Sequence, residues 1–243
     1  MDSQFRIDIL SQPDDTTCGP TCLQAVYQYY EDPLALQRVI SEVESLDHGG
    51  TLAVSLGAHA LKRGYSARIY TNNLKVFDPT WFKPGSGDLG TKLLAQEAVK
   101  KDPKLQTASR SYREFLQLGG QIRYLDLTAG LIRRYLKKSI PILTGLSATY
   151  LYNCAREIGT QSGSQYDDIQ GEPVGHFVVL CGYDSRTREV QIADPLHSNP
   201  LSNRQLYAVT IERLISSILL GIVTHDANLL IITPRNTLPE PPS

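Results

Sequence analysis

From Ser139 onward the chain is written in short apolar runs: IPILTGL, HFVVLCGY, VQIADPL, LYAVTI and, near the end, LLIITP. Each has strand length, is rich in β-branched or aromatic residues, and is bounded by turn formers. The earlier part of the chain has a different period. After Pro20, Leu23, Val26, Tyr27 and Tyr30 recur at helical spacing, and Leu52 to Lys62 ends at Gly64 with basic residues in its last turn. Phe5, Ile7 and Ile9 alternate at the start, and Ala67 to Tyr70 reads as a strand. Helices first and strands second argue for an α+β layout rather than βαβ winding.

Residues 71 to 138 mix turn material, DPTWFKPGSGD, with helical patterns over Leu89 to Lys101, Tyr112 to Leu118 and Leu127 to Lys137. A chain of 243 residues, 41% hydrophobic, can fill one sizeable core. The expectation is a single domain over residues 1–236, a mostly helical insertion around 71–121, and a disordered Pro-rich tail over 237–243. Lys and Arg number 24 against 25 Asp and Glu, so no global field gathers nucleic acid or an anionic membrane surface. The longest apolar run, Leu214 to Val223, is interrupted by Ser216, Ser217 and Gly221, well short of the roughly 20 residues that span a bilayer. These features predict a cytoplasmic protein with neither a nucleic-acid nor a membrane partner. Its four cysteines are too few and too oddly spaced for a disulfide framework.

The stretch QPDDTTCGPTC, residues 12–22, has the makings of a nucleophile. A thiol attacks well only once ionised, and a helix N-terminus favours that form. Thr16 or Thr17 can cap a helix at Cys18, Pro20 suits its first turn, and Gly19 leaves room for a substrate carbonyl. The N–H of Cys18 supplies one oxyanion donor, and the carboxamide of Gln12, folded back over PDDTT, supplies the other. Against this stands the ordinary buried cysteine, which behaves as a small apolar side chain.

A thiol nucleophile needs a base. Of the five histidines, His59 and His225 read as structural and His48 sits in a loop. His176 begins GHFVVLCGYD, where a buried strand leaves the loop EPVG. A turn around SRTRE returns the chain antiparallel as VQIAD and brings Asp194 back near the level of His176. A carboxylate there fixes the imidazole tautomer and supports its charge, although Asp194 before Pro195 also fits a plain turn starter. His197 is a rival base on the unsupported loop HSNP. Cys22, Cys154 and Cys181 read as core or surface thiols; no second matched pair completes a zinc site, and no metal or cofactor is called for.

Gln12, CGPTC with Cys18, GHFVVLCGYD with His176 and IADP with Asp194 together resemble the family-39 cysteine peptidases, the bacteriocin-leader-processing group of the papain-like clan. LGAHALKRGYSARIY and SIPILTGL resemble further parts, so that roughly residues 7–70 and 122–196 are covered. The resemblance implies a papain-like fold with the nucleophile helix packed on a C-terminal antiparallel sheet. It assigns Cys18 as nucleophile, His176 as base, Asp194 as orienter and Gln12 to the oxyanion hole of a cysteine peptidase or amidase that cleaves a peptide or amide bond, with a peptide or protein as substrate. No Walker A sequence and no membrane span follow, and residues 71–121 and the loop CAREIGTQSGSQYDDIQGEP exceed what the family needs. Leader-peptide specificity is therefore not carried over. Two other readings use the same residues: an acyltransferase or transpeptidase with an amine acceptor, and a papain-like module that binds peptides without turning them over.

Overall fold

The central strands of the second half are apolar on both faces because they lie in the middle of a layered structure. In this computed structural model, residues 3–46, 50–160, 163–224, 227–235 and 237–241 are described. The chain runs through β1 (Ser3–Gln4), α1 (Cys18–Tyr29), α2 (Leu36–Glu42), α3 (Ala53–Lys62), β2 (Ser66–Thr71), α4 (Leu89–Val99), α5 (Pro103–Gln117) and β3 (Gln121–Arg123). It continues with α6 (Ala129–Leu136), β4 (Ile142–Ser147), α7 (Ala148–Tyr152), β5 (Glu157–Thr160), β6 (Gly163–Tyr166), β7 (Gly175–Asp184), β8 (Glu189–Ala193), β9 (Leu206–Thr210), α8 (Ile211–Leu220) and β10 (Asn228–Thr233).

One large sheet has the order β3-β2-β10-β4-β7-β8-β9, with β1 added on β7. Its pairings are antiparallel except β2 with β3, which run parallel. Phe177, Val179 and Cys181 of β7 face a core shared with Leu23 and Val26 of α1, Leu56 of α3 and Phe115 of α5. Val178, Leu180 and Tyr183 face the opposite way, into Ile132 of α6, Leu151 of α7 and Leu214 of α8. Two helical layers thus sandwich the sheet, and a strand buried on both sides loses the usual polar alternation. Each fully buried Leu, Ile or Val contributes about 1.5–3 kcal/mol relative to exposure.

The expected α+β architecture is present, with a refinement to where its strands come from. The sheet is not purely C-terminal: β10 pairs with Thr71 and its neighbours on one side and with Gly145 and its neighbours on the other, stitching an early strand to the later ones. The polar stretch before Tyr112 is helical as well. Asp102 accepts from Leu105 N–H at its start, Pro103 takes the first position, and Leu105, Ala108, Tyr112 and Phe115 form a buried stripe along α5. This stripe packs so tightly on α3 that a Cβ on Gly57 would meet Phe115 Cε2 at 2.7 Å. Neither α2 nor α8 was legible beforehand, and the loop before His176 contains the hairpin of β5 and β6. The alternation of Phe5, Ile7 and Ile9 gives only the short β1, although Phe5 N–H still donates to Cys181 O at 3.1 Å.

The Pro-rich end has defined partners over residues 237–241. Arg68, buried in β2, donates to Pro239 O at 2.6 Å, and Arg134 donates to Glu240 O at 2.6 Å. A buried guanidinium needs acceptors in several directions, and the tail carbonyl joins Gln121 Oε1 and Tyr135 Oη in meeting Arg68. Among the described residues no helix is long and apolar enough to cross a membrane.

Candidate active site

The site begins at the first residue of α1. Cys18 is buried, and Thr17 occupies the cap position ahead of it. The expected side-chain cap is not made. Thr17 Oγ1 donates to Asp14 O at 3.2 Å, and Thr16 bonds Asp14 Oδ1 through both N–H (2.8 Å) and Oγ1 (2.7 Å). Both hydroxyls are spent on folding the PDDTT turn, so the positive end of α1 has no side-chain acceptor beside Cys18.

Gly19 also plays a different part from the one expected. A Cβ there would lie 3.3 Å from Leu56 Cδ1 and 3.4 Å from both Phe177 Cδ2 and Thr51 Cβ. It faces the core, and its smallness brings α1 close to β7. One turn on, Cys22 Sγ donates to Phe177 O at 3.3 Å and pins the helix to the residue after His176.

His176 is the second residue of β7, opposite Leu146 of β4. Its Nε2 lies 2.8 Å from Asp194 Oδ1, and both side chains are buried. Asp194 follows β8 directly and also accepts from Leu196 N–H at 2.9 Å, which shapes the turn at Pro195. One carboxylate thus bonds both the imidazole and the turn after it. Burial alone would lower the pKa of His176, but the Asp194 charge and hydrogen bond, helped by the neighbouring Cys18, push it up to about 10. Burial alone would raise Asp194, but His176 and the surrounding donors hold it below the usual carboxylate range.

Gln12 is half-buried, and its position is set through the same turn. Its backbone N–H donates to Pro195 O at 3.0 Å. The amide of Gln205 donates to Leu10 O at 3.1 Å and to Asp194 O at 3.2 Å, tying the segment before Gln12 to the Asp-Pro corner. Gln12 Nε2 donates one hydrogen to Asp14 O at 2.9 Å and keeps a second, while its Oε1 is buried without a hydrogen-bond partner.

The profile of the Peptidase_C39 like family matches residues 5–214, a span that contains all four of these residues. The chain belongs to this family.

Membership makes it a peptidase-like hydrolase of the cysteine-peptidase type. A C39-like peptidase from Bacillus anthracis has the same fold, with 14% identity, coverage of 96% of this chain and 98% of that one, and a TM-score of 0.50. The peptidase domain of Streptococcus ComA, a bi-functional ABC transporter, aligns at 15% identity over 95% of this chain and 100% of its own, with a TM-score of 0.46. Xylellain, a cysteine protease from Xylella fastidiosa, aligns at 14% identity over 96% and 85%, with a TM-score of 0.42. Among curated proteins there is no significant match.

Elsewhere in this C39-like peptidase, His59 is bonded to Tyr27 Oη (2.8 Å) and Glu42 Oε2 (3.1 Å), a structural placement as expected. His197 is exposed, and its Nδ1 lies 3.3 Å from Ser198 Oγ. His48 and His225 lie outside the described residues. Cys22, Cys154 and Cys181 are free thiols. A cleft of about 670 Å³ lined by Trp81, Lys92 and Val99 lies in the 71–121 region and includes none of the four site residues.

Two residues at the site escaped the sequence reading. Tyr152 Oη donates to Asp194 Oδ2 at 2.7 Å and Tyr207 Oη donates to the same oxygen at 2.6 Å. In the sequence Tyr207 is only part of the strand run LYAVTI. One signal was available: β9 alternates, which puts Tyr207 on the buried face with Val209, and a buried phenol requires an acceptor.

Proposed function

We propose that this peptidase cleaves a peptide bond through Cys18, with His176 as acid and base, Asp194 as orienter and Gln12 at the oxyanion. The observation that carries the reading is the buried His176–Asp194 pair at 2.8 Å, with Cys18 close enough to act on the charge of the same ring. Nε2 is engaged by Asp194, so Nδ1 is the nitrogen that serves the thiol.

The steps follow from that arrangement. Cys18 attacks the substrate carbonyl as thiolate, and the oxyanion forms against the Cys18 N–H, the uncapped start of α1 and the second amide hydrogen of Gln12. A ring held protonated by Asp194 then gives its proton to the leaving amine as the C–N bond breaks. Water attacks the thioester, His176 takes its proton, and the acid product departs with the thiolate restored. The substrate is a peptide or an exposed segment of a protein.

Replacing Cys18 by alanine tests this directly. Peptide hydrolysis and labelling by a thiol alkylator at that position should both vanish while circular dichroism and the melting transition stay as in the parent. Hydrolysis persisting in the folded Cys18→Ala protein refutes the assignment.

A further inference from the structure

The proposed steps account for one oxygen of Asp194. The other, Oδ2, accepts from Tyr152 Oη at 2.7 Å and Tyr207 Oη at 2.6 Å, while Oδ1 serves His176 and Leu196 N–H. Four donors on a carboxylate with no solvent exposure exceed what a turn requires. We infer that Tyr152 and Tyr207 are positioning residues that hold Asp194 ionised and unable to rotate, so that His176 stays charged with Nδ1 turned to Cys18. This inference rests on the roles proposed above for Cys18 and His176.

The two phenols arrive from different elements. Tyr152 ends α7, which follows β4 directly, and Tyr207 lies on β9 opposite Ile192 of β8. Rotating the carboxylate breaks at least one of these bonds and the Asp-Pro turn with it. Each carrier is itself fastened. Arg213 of α8 donates to Leu151 O at 2.9 Å and Tyr150 O at 2.7 Å, closing the end of the short α7. Gln191 of β8 donates to Tyr207 O at 3.0 Å.

The chemistry asks for such donors. A buried carboxylate with no partner but an imidazolium can relieve its desolvation by taking the proton, which leaves a neutral pair and an uncharged ring. Phenol donors stabilise the carboxylate without carrying charge, so the proton stays on His176. Burial next to Asp194 pushes both phenols far above their ordinary range, which keeps them donors throughout the working pH. The titratable groups acting around Asp194 are His176 on β7, Tyr152 on α7, Tyr207 on β9 and Cys22 on α1, with Cys18 on the far side of the ring. Burial pushes the Cys22 thiol well above its usual value, so it is neutral there.

Tyr152→Phe, Tyr207→Phe and the double variant keep the rings and remove only the oxygens. The measurements are the pH profile of kcat/KM on a peptide substrate and the NMR titration of the His176 ring in the full chain. Losing a hydrogen bond to a charged group raises the Asp194 pKa, so the acid limb should move up by about one to two pH units per phenol removed. A fall in kcat or melting temperature with an unmoved acid limb makes both tyrosines mere packing and overturns the inference. Should a variant not fold, the parent protein decides. A His176 ring charged well above neutral pH supports the clamp, and one titrating near 6.5 overturns it. The NMR readout does not depend on turnover, so survival of hydrolysis in Cys18→Ala would defeat the catalytic reading while leaving the clamp to stand or fall separately.

Discussion

Asp194 Oδ1 and His176 Nε2 stand 2.8 Å apart and both are buried, and each changes the other's proton affinity. His176 is raised, so the ring stays charged at pH values where an ordinary histidine is neutral, as the proposed acid must. The alkaline limb of kcat/KM should accordingly lie well above 6.5. In Asp194→Asn the supporting charge is gone and that limb should shift to lower pH. A parent limb at an ordinary histidine value would contradict this coupling. His176→Ala should lower kcat by about 10²–10⁴-fold.

The same pair makes stability depend on pH, with opposite signs at the two ends. Asp194 is depressed, so its contribution is present above the unfolded value and lost as pH falls through the folded one. His176 is raised, so its contribution is present below 6.5 and lost as pH rises through about 10. Asp194→Ala strands a buried charged ring and two phenols, and urea unfolding at neutral pH should show a loss of about 3–5 kcal/mol. That gap should narrow at both extremes. A gap of constant size from acid to alkali would count against the ion pair as its source.

Gln12 is tethered by Pro195 O through its backbone and by Asp14 O through one amide hydrogen. If the other hydrogen meets the oxyanion, Gln12→Ala should reduce kcat by about 10²–10³-fold with little change in KM. Equal turnover in Gln12→Ala and the parent would remove Gln12 from the mechanism. A rise in KM alone would move its role to substrate binding.

Gly57 tests the packing behind the site. Alanine is the better helix former by roughly 1 kcal/mol, but its Cβ would stand 2.7 Å from Phe115 Cε2. Overpacking of about 1–3 kcal/mol should outweigh that gain, and Gly57→Ala should melt lower than the parent. A higher melting temperature would mean that α5 gives way freely on α3.

Much of the candidate site was legible because its signals are local. Cys18 ahead of Gly19 and Pro20 marks a helix start, and the single turn between GHFVVLCGYD and VQIAD pairs β7 with β8 antiparallel, which leaves Asp194, just past β8, beside His176. The apolar period also gave α1, α3 and the main strands nearly to their ends. Other assignments depended on partners far along the chain. The hydroxyls of Thr16 and Thr17 could cap a helix or fold a turn, and the position of Asp14 decided for the turn. Whether Gly19 faces substrate or core depended on how closely α1 approaches Phe177.

By itself, then, the sequence determined which segments form helices and strands and which residue types can do thiol chemistry, because periodicity and turn formers act over a few neighbours. Only the tertiary structure decided that β10 joins an early strand to a late one, that Pro239 meets Arg68, and that Tyr152 and Tyr207 share one oxygen of Asp194. Those contacts lie between segments far apart in the chain, and each is selected by the need of a buried charge or backbone group for a partner, a demand that burial alone creates.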